Sequence, residues 1–366
     1  MLYDGFTLIP GDIVNSFSAI FAGLLGLLQG ASPEREAVAP ADAGETRSRH
    51  APTRRQRMLD WQSLANLPDD PALPALTAIA KSGVRAALSF LDLGSGDVQL
   101  SMRGYSKGKR MTLELRSADR RMALKAHSTH PDLEVELYTA LAGGTAGVHV
   151  PHLLGWDRDL RVFALEWLEG PTLLALIHRG EGKRAGEFAA TWLRAAAAMP
   201  VRFGPHHGAR SLLAKASKWA DHLGAADESL GKTASSVARR LAATQPVERA
   251  IRLVHGSLYD RHILDLGDGP GLIDWDCFGQ GSAELDAAVF LSVVWRSGLQ
   301  PERQRAAAEA TAAFRARTAG LLDDSALAWH QAVMMLRLAH KKIRRAGDSA
   351  VTAARPFLDE AARLAG

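Results

Sequence analysis

The hydrophobic pattern of this chain changes once, near residue 170, and this change constrains the fold more than any other feature. Before it, apolar and polar residues alternate as they do in half-buried strands, at 98–103, 111–116 and 122–127, followed by a helical pattern at 131–141 and predicted strands at 150–154 and 162–168. After it, apolar residues recur at helical spacing at 183–199, 211–223, 230–245, 283–297, 301–321, 325–345 and 350–365.

Only residues 251–280 interrupt the helical half, and their pattern predicts a short hairpin. A strand-rich lobe followed by a helical lobe with one inserted hairpin is the plan of kinase-like proteins. The sequence therefore predicts an α+β, kinase-like bilobal fold. We expect a small antiparallel sheet with one helix at 58–168, and a mostly helical lobe at 169–366.

The N-terminal residues 1–29 contain an apolar run whose spacing predicts an amphipathic helix, with Asp12 as its N-cap. The charges before the run are Asp4 and Asp12 rather than Lys or Arg, so a signal peptide is not expected. The run is also short for a membrane span. We expect residues 12–29 to contact the protein itself or a partner; peripheral membrane contact is a second interpretation.

Residues 30–57 are rich in Ala, Pro, Gly and charge and predict a flexible linker. No aromatic residues interleave with the basic run at its end, so no nucleic-acid partner is expected. The net charge of +4 and the pI near 9.3 are compatible with anionic ligands such as nucleotides. The single cysteine, Cys277, excludes an internal disulfide framework, and a cytoplasmic location is the expectation.

Three short segments in the second half carry the chemical signal. Residues 255–264 run His-Gly-Ser-Leu-Tyr-Asp-Arg-His-Ile-Leu, residues 272–276 run Leu-Ile-Asp-Trp-Asp, and residues 281–288 run Gly-Ser-Ala-Glu-Leu-Asp-Ala-Ala. The order predicts a strand, a loop, a hairpin and a strand that ends in carboxylates. A carboxylate at such a strand end can bridge a magnesium ion to nucleotide phosphates.

Together these segments resemble the aminoglycoside phosphotransferase and choline kinase family, over roughly residues 85–345. In that family they run His-Gly-Asp-Leu-His-x-x-Asn, Ile-Asp-Trp/Phe-Asp/Glu and Gly-Asp-Pro-x-x-Asp-Leu-Ala. The resemblance implies a first lobe that binds nucleotide and a second lobe that holds the catalytic loop. It also implies an ATP- or GTP-dependent phosphotransferase, a small hydroxylated or amino acceptor, and Mg²⁺.

The resemblance assigns Asp274 to the metal, with Asp276 as a secondary candidate, and Asp286 to bracing the catalytic loop. A turn-capping role is the alternative for Asp274. His262 stands where the family has its metal-binding Asn. Magnesium prefers oxygen ligands, so a hydrogen bond from His262 to a phosphate or to the loop is the alternative to metal ligation. Ser282, where the family usually has Asp, is a further departure.

In the first lobe, Lys125 matches the family's phosphate-contacting lysine, and Glu134 matches its ion-pair partner, with Glu136 as the second candidate. The alternative for Lys125 is a lysine on an edge strand, facing water. Residues 166–168, with Glu166 and Leu168 at the ends, match the hinge whose backbone binds adenine. The two-glycine loop at 103–110 is a weaker candidate for covering phosphates with backbone N–H groups.

Ser257 occupies the position of the family's catalytic Asp. A serine hydroxyl is neutral near pH 7 and takes the acceptor's proton only if another base relays it. Asp260, in the same loop, supplies a carboxylate if the loop turns helically. Two hypotheses follow: a small-molecule phosphotransferase, and a pseudokinase that binds nucleotide and transfers little. A chance match of an unrelated helical protein is a third, against which the order of the pieces argues.

The acceptor is left open by the sequence. An acidic site would suit a cationic acceptor such as an aminoglycoside or choline. The basic stretch at 340–345, His-Lys-Lys-Ile-Arg-Arg, is compatible with an anionic acceptor and equally with a solvated helix end.

Overall fold

In the computed structural model of the protein, residues 67–142, 147–248, 250–344 and 349–366 are described. The N-terminal helix predicted within 1–29 and the linker predicted at 30–57 lie outside these residues. The described chain divides into two compact units. The first comprises 67–131 and Leu154–Leu165, and the second comprises Asp132–Leu153 and Glu166–Gly366. The lobe boundary expected near residue 168 stays a prediction.

The first unit is built on an antiparallel sheet with strand order β1-β2-β3-β5-β4. Its strands are β1 Gln99–Ser106, β2 Arg110–Arg116, β3 Arg121–His127, β4 Leu153–Asp157 and β5 Val162–Glu166. In the register, Leu113 of β2 lies opposite Met102 and Leu124. The five predicted strands are confirmed, but β4 begins at Leu153 rather than at residue 150. Pro151, which has no N–H to give to a strand ladder, lies just before it.

Two helices precede the sheet, and the sequence analysis did not predict them. They are α1, Pro74–Ser82, and α2, Val84–Ala87. Leu73, Leu76 and Leu88 from this region share one apolar core with Leu113 and Leu115 of β2. The two helices therefore help to bury one face of the sheet.

The turn between β1 and β2 is shorter than predicted, because β1 continues to Ser106. Asp70, which is 5% exposed, holds this turn from the segment that precedes α1. Its Oδ2 accepts the hydroxyl hydrogen of Tyr105 at 2.9 Å and the backbone N–H of Gly108 at 2.7 Å. The Gly108 N–H, which the sequence analysis offered to a phosphate, is thus already used inside the unit.

The second unit is mostly helical, and its predicted helices are confirmed to within a few residues. They are α3 Asp132–Leu141, α4 Leu173–His178, α5 Gly182–Ala196, α6 Ala209–Ala226, α7 Glu228–Ala243, α8 Ala283–Ser297, α9 Gln304–Arg317, α10 Asp324–Ile343 and α11 Ala350–Leu364. Only α4 was missed, because six mostly apolar residues are too few to show a helical period. No described helix combines the length and the apolar character needed to cross a membrane.

Two small antiparallel pairs interrupt the helices and hold the loop that the motifs predicted. Strand β6, Arg252–Val254, pairs with β9, Gly279–Gly281. Strand β7, Ile263–Asp265, pairs with β8, Pro270–Leu272. The loop at 255–262 therefore begins and ends in strands, and residues 273–278 return from β8 to β9 beside it.

Candidate active site

The loop at 255–262 is held by a carboxylate of α8. Asp286 Oδ2 accepts the backbone N–H of His255 at 2.7 Å and the indole N–H of Trp192 at 2.9 Å, while Oδ1 accepts the N–H of Gly256 at 2.8 Å. Burial raises the pKa of the Asp286 carboxyl, and His255 and the three donors oppose that rise. The prediction that Asp286 braces the loop is confirmed.

The hydrogen bonds of His255 fix its tautomer. Its Nε2 lies 3.0 Å from the carbonyl oxygen of Ile273. A carbonyl oxygen only accepts, so Nε2 donates and Nδ1 of the neutral ring carries the lone pair. Ser257 Oγ lies 3.2 Å from this Nδ1, and its hydroxyl therefore donates to the ring. Ser257 and His255 are both buried. The loop thus pairs the serine with a histidine base.

The tautomer of His262 is also fixed by a backbone carbonyl. Its Nδ1 lies 2.9 Å from the carbonyl oxygen of Ser257, so Nδ1 donates. Burial lowers its pKa well below the usual value, although Asp274 opposes the shift, and the ring is neutral near pH 7. Nε2 therefore turns a lone pair toward Asp274 Oδ2, 3.2 Å away.

Two lone-pair atoms at this distance fit a shared cation. Ligand atoms about 2.1 Å from one octahedral ion, at right angles, lie about 3 Å apart. The donor set, one carboxylate oxygen and one imidazole nitrogen, suits a divalent ion that accepts nitrogen as well as oxygen. Within the described ranges, no group of three or more His, Cys, Asp or Glu side chains is arranged to hold a metal. Asp274 and His262 form a pair.

Two residues near this pair adopt left-handed backbone conformations. Asp274 has φ 67°, which is uncommon outside glycine, although Asp and Asn tolerate it best. It follows β8 after one residue, so this bend directs its carboxylate at the strand end. Gly256 has φ 71°, and a Cβ there would overlap the carbonyl oxygen of Cys277. Glycine is required at 256 both by the conformation and by the space.

Helix α3 places further groups near Asp274. Burial raises the pKa of the Tyr138 hydroxyl well above its usual value, and the negative charges of Glu134 and Asp274 add to the rise. Glu134 is half-buried, whereas Glu136, the second candidate, is exposed. Glu134 and Asp274 therefore both act on the Tyr138 hydroxyl.

Lys125 lies in β3 of the first unit and is 6% exposed. Strand β3 is flanked by β2 and β5, so the alternative of an edge-strand lysine facing water is excluded. In the second unit, Glu166 binds His152: its Oε2 lies 3.1 Å from His152 Nδ1, and its N–H donates to the His152 carbonyl at 2.9 Å. Within the part of the chain that the structure describes, the backbone N–H and carbonyl of Leu168 have no partner.

The family of the chain follows from a profile match over more than half of its length. The profile of the phosphotransferase enzyme family (APH) matches residues 107–322 of this 366-residue chain. The chain belongs to the phosphotransferase enzyme family. The match includes β2, β3, the loop at 255–262, Asp274 and Asp286, and so confirms the resemblance seen in the motifs. No curated protein sequence matches this chain.

Solved structures agree with the fold of this phosphotransferase. The aminoglycoside phosphotransferase APH(4)-Ia is 15% identical, with a TM-score of 0.55 over 79% of this chain and 98% of that one. A thermostable mutant of the same enzyme, in a ternary complex with AMP-PNP and hygromycin B, is 15% identical, with a TM-score of 0.55 over 72% of this chain and 93% of that one. A choline/ethanolamine kinase family protein from Mesorhizobium loti is 15% identical, with a TM-score of 0.50 over 79% of this chain and 93% of that one. The predicted kinase-like α+β fold is confirmed.

Among the described residues, no hydrogen bond or ion pair joins Asp260 to Ser257. Asp260 is fully buried, and neither of its carboxylate oxygens has a hydrogen-bond partner within the described ranges. The nearest charged contact is the guanidinium of Arg296 on α8, at 4.0 Å, and the Asp260 carbonyl accepts the N–H of Leu174. The carboxylate relay through Asp260 stays a prediction with no contact to support it.

The residue of this phosphotransferase that the sequence analysis missed is His255. It was quoted as the first residue of the loop motif and given no role. Strand alternation could not have shown that His255 faces Ser257, because β6 ends at Val254 and Gly256 between them has φ 71°. The hydrogen bond to Ile273, which fixes the tautomer, crosses 18 residues and leaves no local trace.

Proposed function

We propose that this phosphotransferase moves the terminal phosphoryl group of ATP or GTP to a hydroxyl or amino group of a small metabolite. Membership of the family supports phosphoryl transfer as the reaction. The observation that carries the proposal is the hydrogen bond from Ser257 to His255 Nδ1, because it supplies the base that Ser257 alone lacks.

For a hydroxyl acceptor, the acceptor oxygen forms a bond to the γ-phosphorus as the bond from that phosphorus to the β-phosphate oxygen breaks. The electron pair of the broken bond leaves with the nucleoside diphosphate. The acceptor's proton passes to Ser257 Oγ while the Ser257 proton passes to His255 Nδ1, which becomes an imidazolium. The carboxylate of Asp286, already bonded to the His255 backbone, stabilises that charge.

The remaining roles follow the family pattern. We propose that Lys125 contacts the nucleotide phosphates and that Glu134 orients Lys125. The backbone at Glu166–Leu168 binds the base; the unpartnered N–H and carbonyl of Leu168 support this role, whereas the Glu166 N–H is bonded to His152. Asp274 and His262 hold a divalent cation, Mg²⁺ or a nitrogen-tolerant ion, which when bound neutralises charge on the phosphates.

The test is transfer of label from γ-labelled ATP and GTP to a panel of small alcohols and amines. We expect wild-type turnover, and a fall of about 10²–10⁴-fold in kcat for Ser257→Ala and for His255→Gln. The glutamine that replaces His255 can still donate to the Ile273 carbonyl but cannot take a proton. Because both residues serve one proton path, the double variant should be no slower than the slower single variant.

Ser257→Asp gives the sharper control. An aspartate at this position takes the acceptor proton directly, so adding Ser257→Asp to His255→Gln should restore turnover. If His255→Gln remains as active as the wild type, the proton path through His255 is wrong.

A nucleotide-binding pseudokinase is the second candidate, and the serine at the base position favours it. That function predicts a stable complex with nucleotide and no labelled product from the wild type, with turnover appearing only in Ser257→Asp.

A further inference from the structure

Three positive side chains surround a buried tyrosine next to the catalytic-type loop. We call Arg261, Arg337, Lys341 and Tyr259 the basic cluster. Tyr259 is 4% exposed, and its hydroxyl lies 3.3 Å from Lys341 Nζ. The guanidinium carbon of Arg261 lies 4.5 Å above the Tyr259 ring centroid, and Lys341 Nζ lies 5.4 Å from it. Arg337 and Lys341 are one helical turn apart on the same face of α10.

The acidic group that faces these charges in the part of the chain that the structure describes is the Tyr259 hydroxyl. Burial raises its pKa, but the three cations outweigh burial and lower it to about 8, so it is mostly neutral near pH 7. None of Arg261, Arg337 and Lys341 forms an ion pair there, although each is at least half-buried. The charges of the cluster affect one another: burial together with the charge of Arg337 lowers the pKa of Lys341 to about 8. Cations gathered away from water without a counter-charge destabilise one another, and a bound anion removes that penalty.

The basic cluster adjoins the residues assigned to transfer. The N–H of Tyr259 donates to the Ser257 carbonyl at 2.6 Å, and its ring packs edge-on against His262 with centroids 5.2 Å apart. Arg337 and Lys341 come from α10, which supplies none of the residues assigned above to the nucleotide or the metal. An anion on the cluster therefore lies near Ser257 but is held by different side chains from those expected for the nucleotide.

We propose that the basic cluster binds a carboxylate or phosphate group of the acceptor, which makes the acceptor an anionic, hydroxyl-bearing metabolite rather than a polycation. The identity of the anion as an acceptor rests on the proposed function, whereas anion binding rests on the cluster alone. Arg supplies a planar pair of N–H donors and Lys a compact charge, the two usual partners of phosphate and carboxylate groups. Lys341 faces Tyr259 rather than water, so the interpretation of 340–345 as a solvated helix end does not apply to this residue.

Binding is tested without turnover, on the full chain. Inorganic phosphate and sulfate are titrated against the wild type, Lys341→Met and Arg337→Gln by calorimetry, with thermal melting as a check that each variant folds. The matched control is Lys342→Met, which removes the same charge one residue away, where the ammonium lies over Phe357. We expect the wild type and the control to bind both anions with equal affinity. Each cluster variant should bind them with an affinity lower by roughly tenfold or more. Equal binding by Lys341→Met and Arg337→Gln overturns the proposal.

A second arm distinguishes the acceptor from the nucleotide. ATP and ADP are titrated against the same variants, and we expect unchanged affinity for both. If Lys341→Met weakens ATP as much as it weakens phosphate, the cluster holds nucleotide phosphates, and the acceptor assignment falls while the proposed function stands.

The third arm compares glycerol 3-phosphate and glycerate with choline and an aminoglycoside as acceptors of labelled phosphate. Labelling of the anionic acceptors, lost in Lys341→Met and kept in Lys342→Met, supports the proposal. Preferential labelling of the cationic acceptors overturns it and leaves phosphoryl transfer intact. If no nucleotide donor yields product with any acceptor, the proposed function fails, whereas the anion titrations still decide whether the cluster is a site.

Discussion

His262 Nε2 and Asp274 Oδ2 face each other across 3.2 Å, and neither atom carries a proton when the ring is neutral. Two lone pairs at this distance repel unless a cation lies between them. Because one of the two donors is nitrogen, the pair should discriminate among divalent ions more strongly than a pair of oxygen ligands does.

We therefore predict that affinity rises from Mg²⁺ to Mn²⁺ to Co²⁺ in the wild type, and that His262→Asn narrows the difference. An amide oxygen at this position suits Mg²⁺, whereas imidazole favours the later ions. Asp274→Asn should weaken all three ions by roughly tenfold or more. Calorimetric titration with each metal measures these affinities without turnover.

The control for the metal prediction is Asp268→Asn, on the exposed turn of the same hairpin, where the carboxylate is 73% exposed. It should leave all three affinities unchanged. Identical metal preferences in the wild type and in His262→Asn would show that the ring is not a ligand.

Asp286→Asn should lower the free energy of unfolding by about 2–3 kcal/mol, because an amide nitrogen replaces one acceptor oxygen and faces buried N–H donors. Urea denaturation measures the change. Glu284→Gln, on the same helix, removes the same charge from a half-buried residue whose Oε1 accepts the N–H of Asp323, a bond that the glutamine oxygen can keep, and should cost under about 0.5 kcal/mol. Equal costs for the two variants would mean that Asp286 does not hold the loop.

Gly256→Ala should be among the most damaging single substitutions in this unit, at about 3 kcal/mol or more. The new methyl group meets the Cys277 carbonyl, and the residue must also keep φ 71°. Gly267→Ala isolates the conformational part of the cost, because φ is 93° there and no atom lies within 4 Å of an added Cβ. We expect about 1 kcal/mol for it by the same measurement. The prediction fails if the two variants unfold at the same urea concentration.

Sulfate affinity should fall as the pH rises through about 8, because burial and Arg337 lower the pKa of Lys341 to about 8 and the neutral amine no longer attracts an anion. The groups that face Lys341 are Arg337, Arg261 and Tyr259. In the unfolded chain the pKa of Lys341 is its ordinary 10.5, whereas in the folded chain it is about 8. The charged lysine therefore destabilises the fold below pH 8, and the free energy of unfolding rises as the pH increases from 8 to 10.5. Calorimetry from pH 6.5 to 9.5 measures the affinity.

Lys341→Arg tests the cause of this pH dependence. Arginine stays protonated throughout the range, but burial and the three cations leave Tyr259 with a pKa of about 8 as well, so Lys341→Arg is combined with Tyr259→Phe. The double variant should bind sulfate with an affinity that does not change with pH. A wild-type affinity that is equally constant would show that Lys341 is not part of the site.

Local pattern was sufficient for most of the fold and for the residues that act through their place in a strand or helix. The alternation at 122–127 predicted β3, whereas Lys125 inside it kept two interpretations until the order of the strands excluded an edge position. Asp286, four residues into an apolar helix, was predicted to brace the loop, and it does so. The environment of Asp286 is set mainly by the helix that carries it.

The features that were missed depend on contacts between distant parts of the chain. The lone pair on His255 Nδ1 is set by the carbonyl of Ile273, and the buried carboxylate of Asp260 has its charged neighbour, Arg296, on α8. Likewise, the basic stretch at 340–345 has two opposite interpretations until α10 is packed and Lys341 meets Tyr259. Spacing along the chain carries no information about such partners.

Asp70 has a practical consequence for where this protein can be shortened. The turn at Gly108 has its backbone tied to a side chain 38 residues earlier in the chain, on the N-terminal side of every described helix. A chain trimmed immediately before α1 would keep every helix and strand that the structure describes but lose that tie, and its first hairpin would be free to open. The working boundary of the protein therefore lies ahead of Asp70, outside the secondary structure that would ordinarily define it.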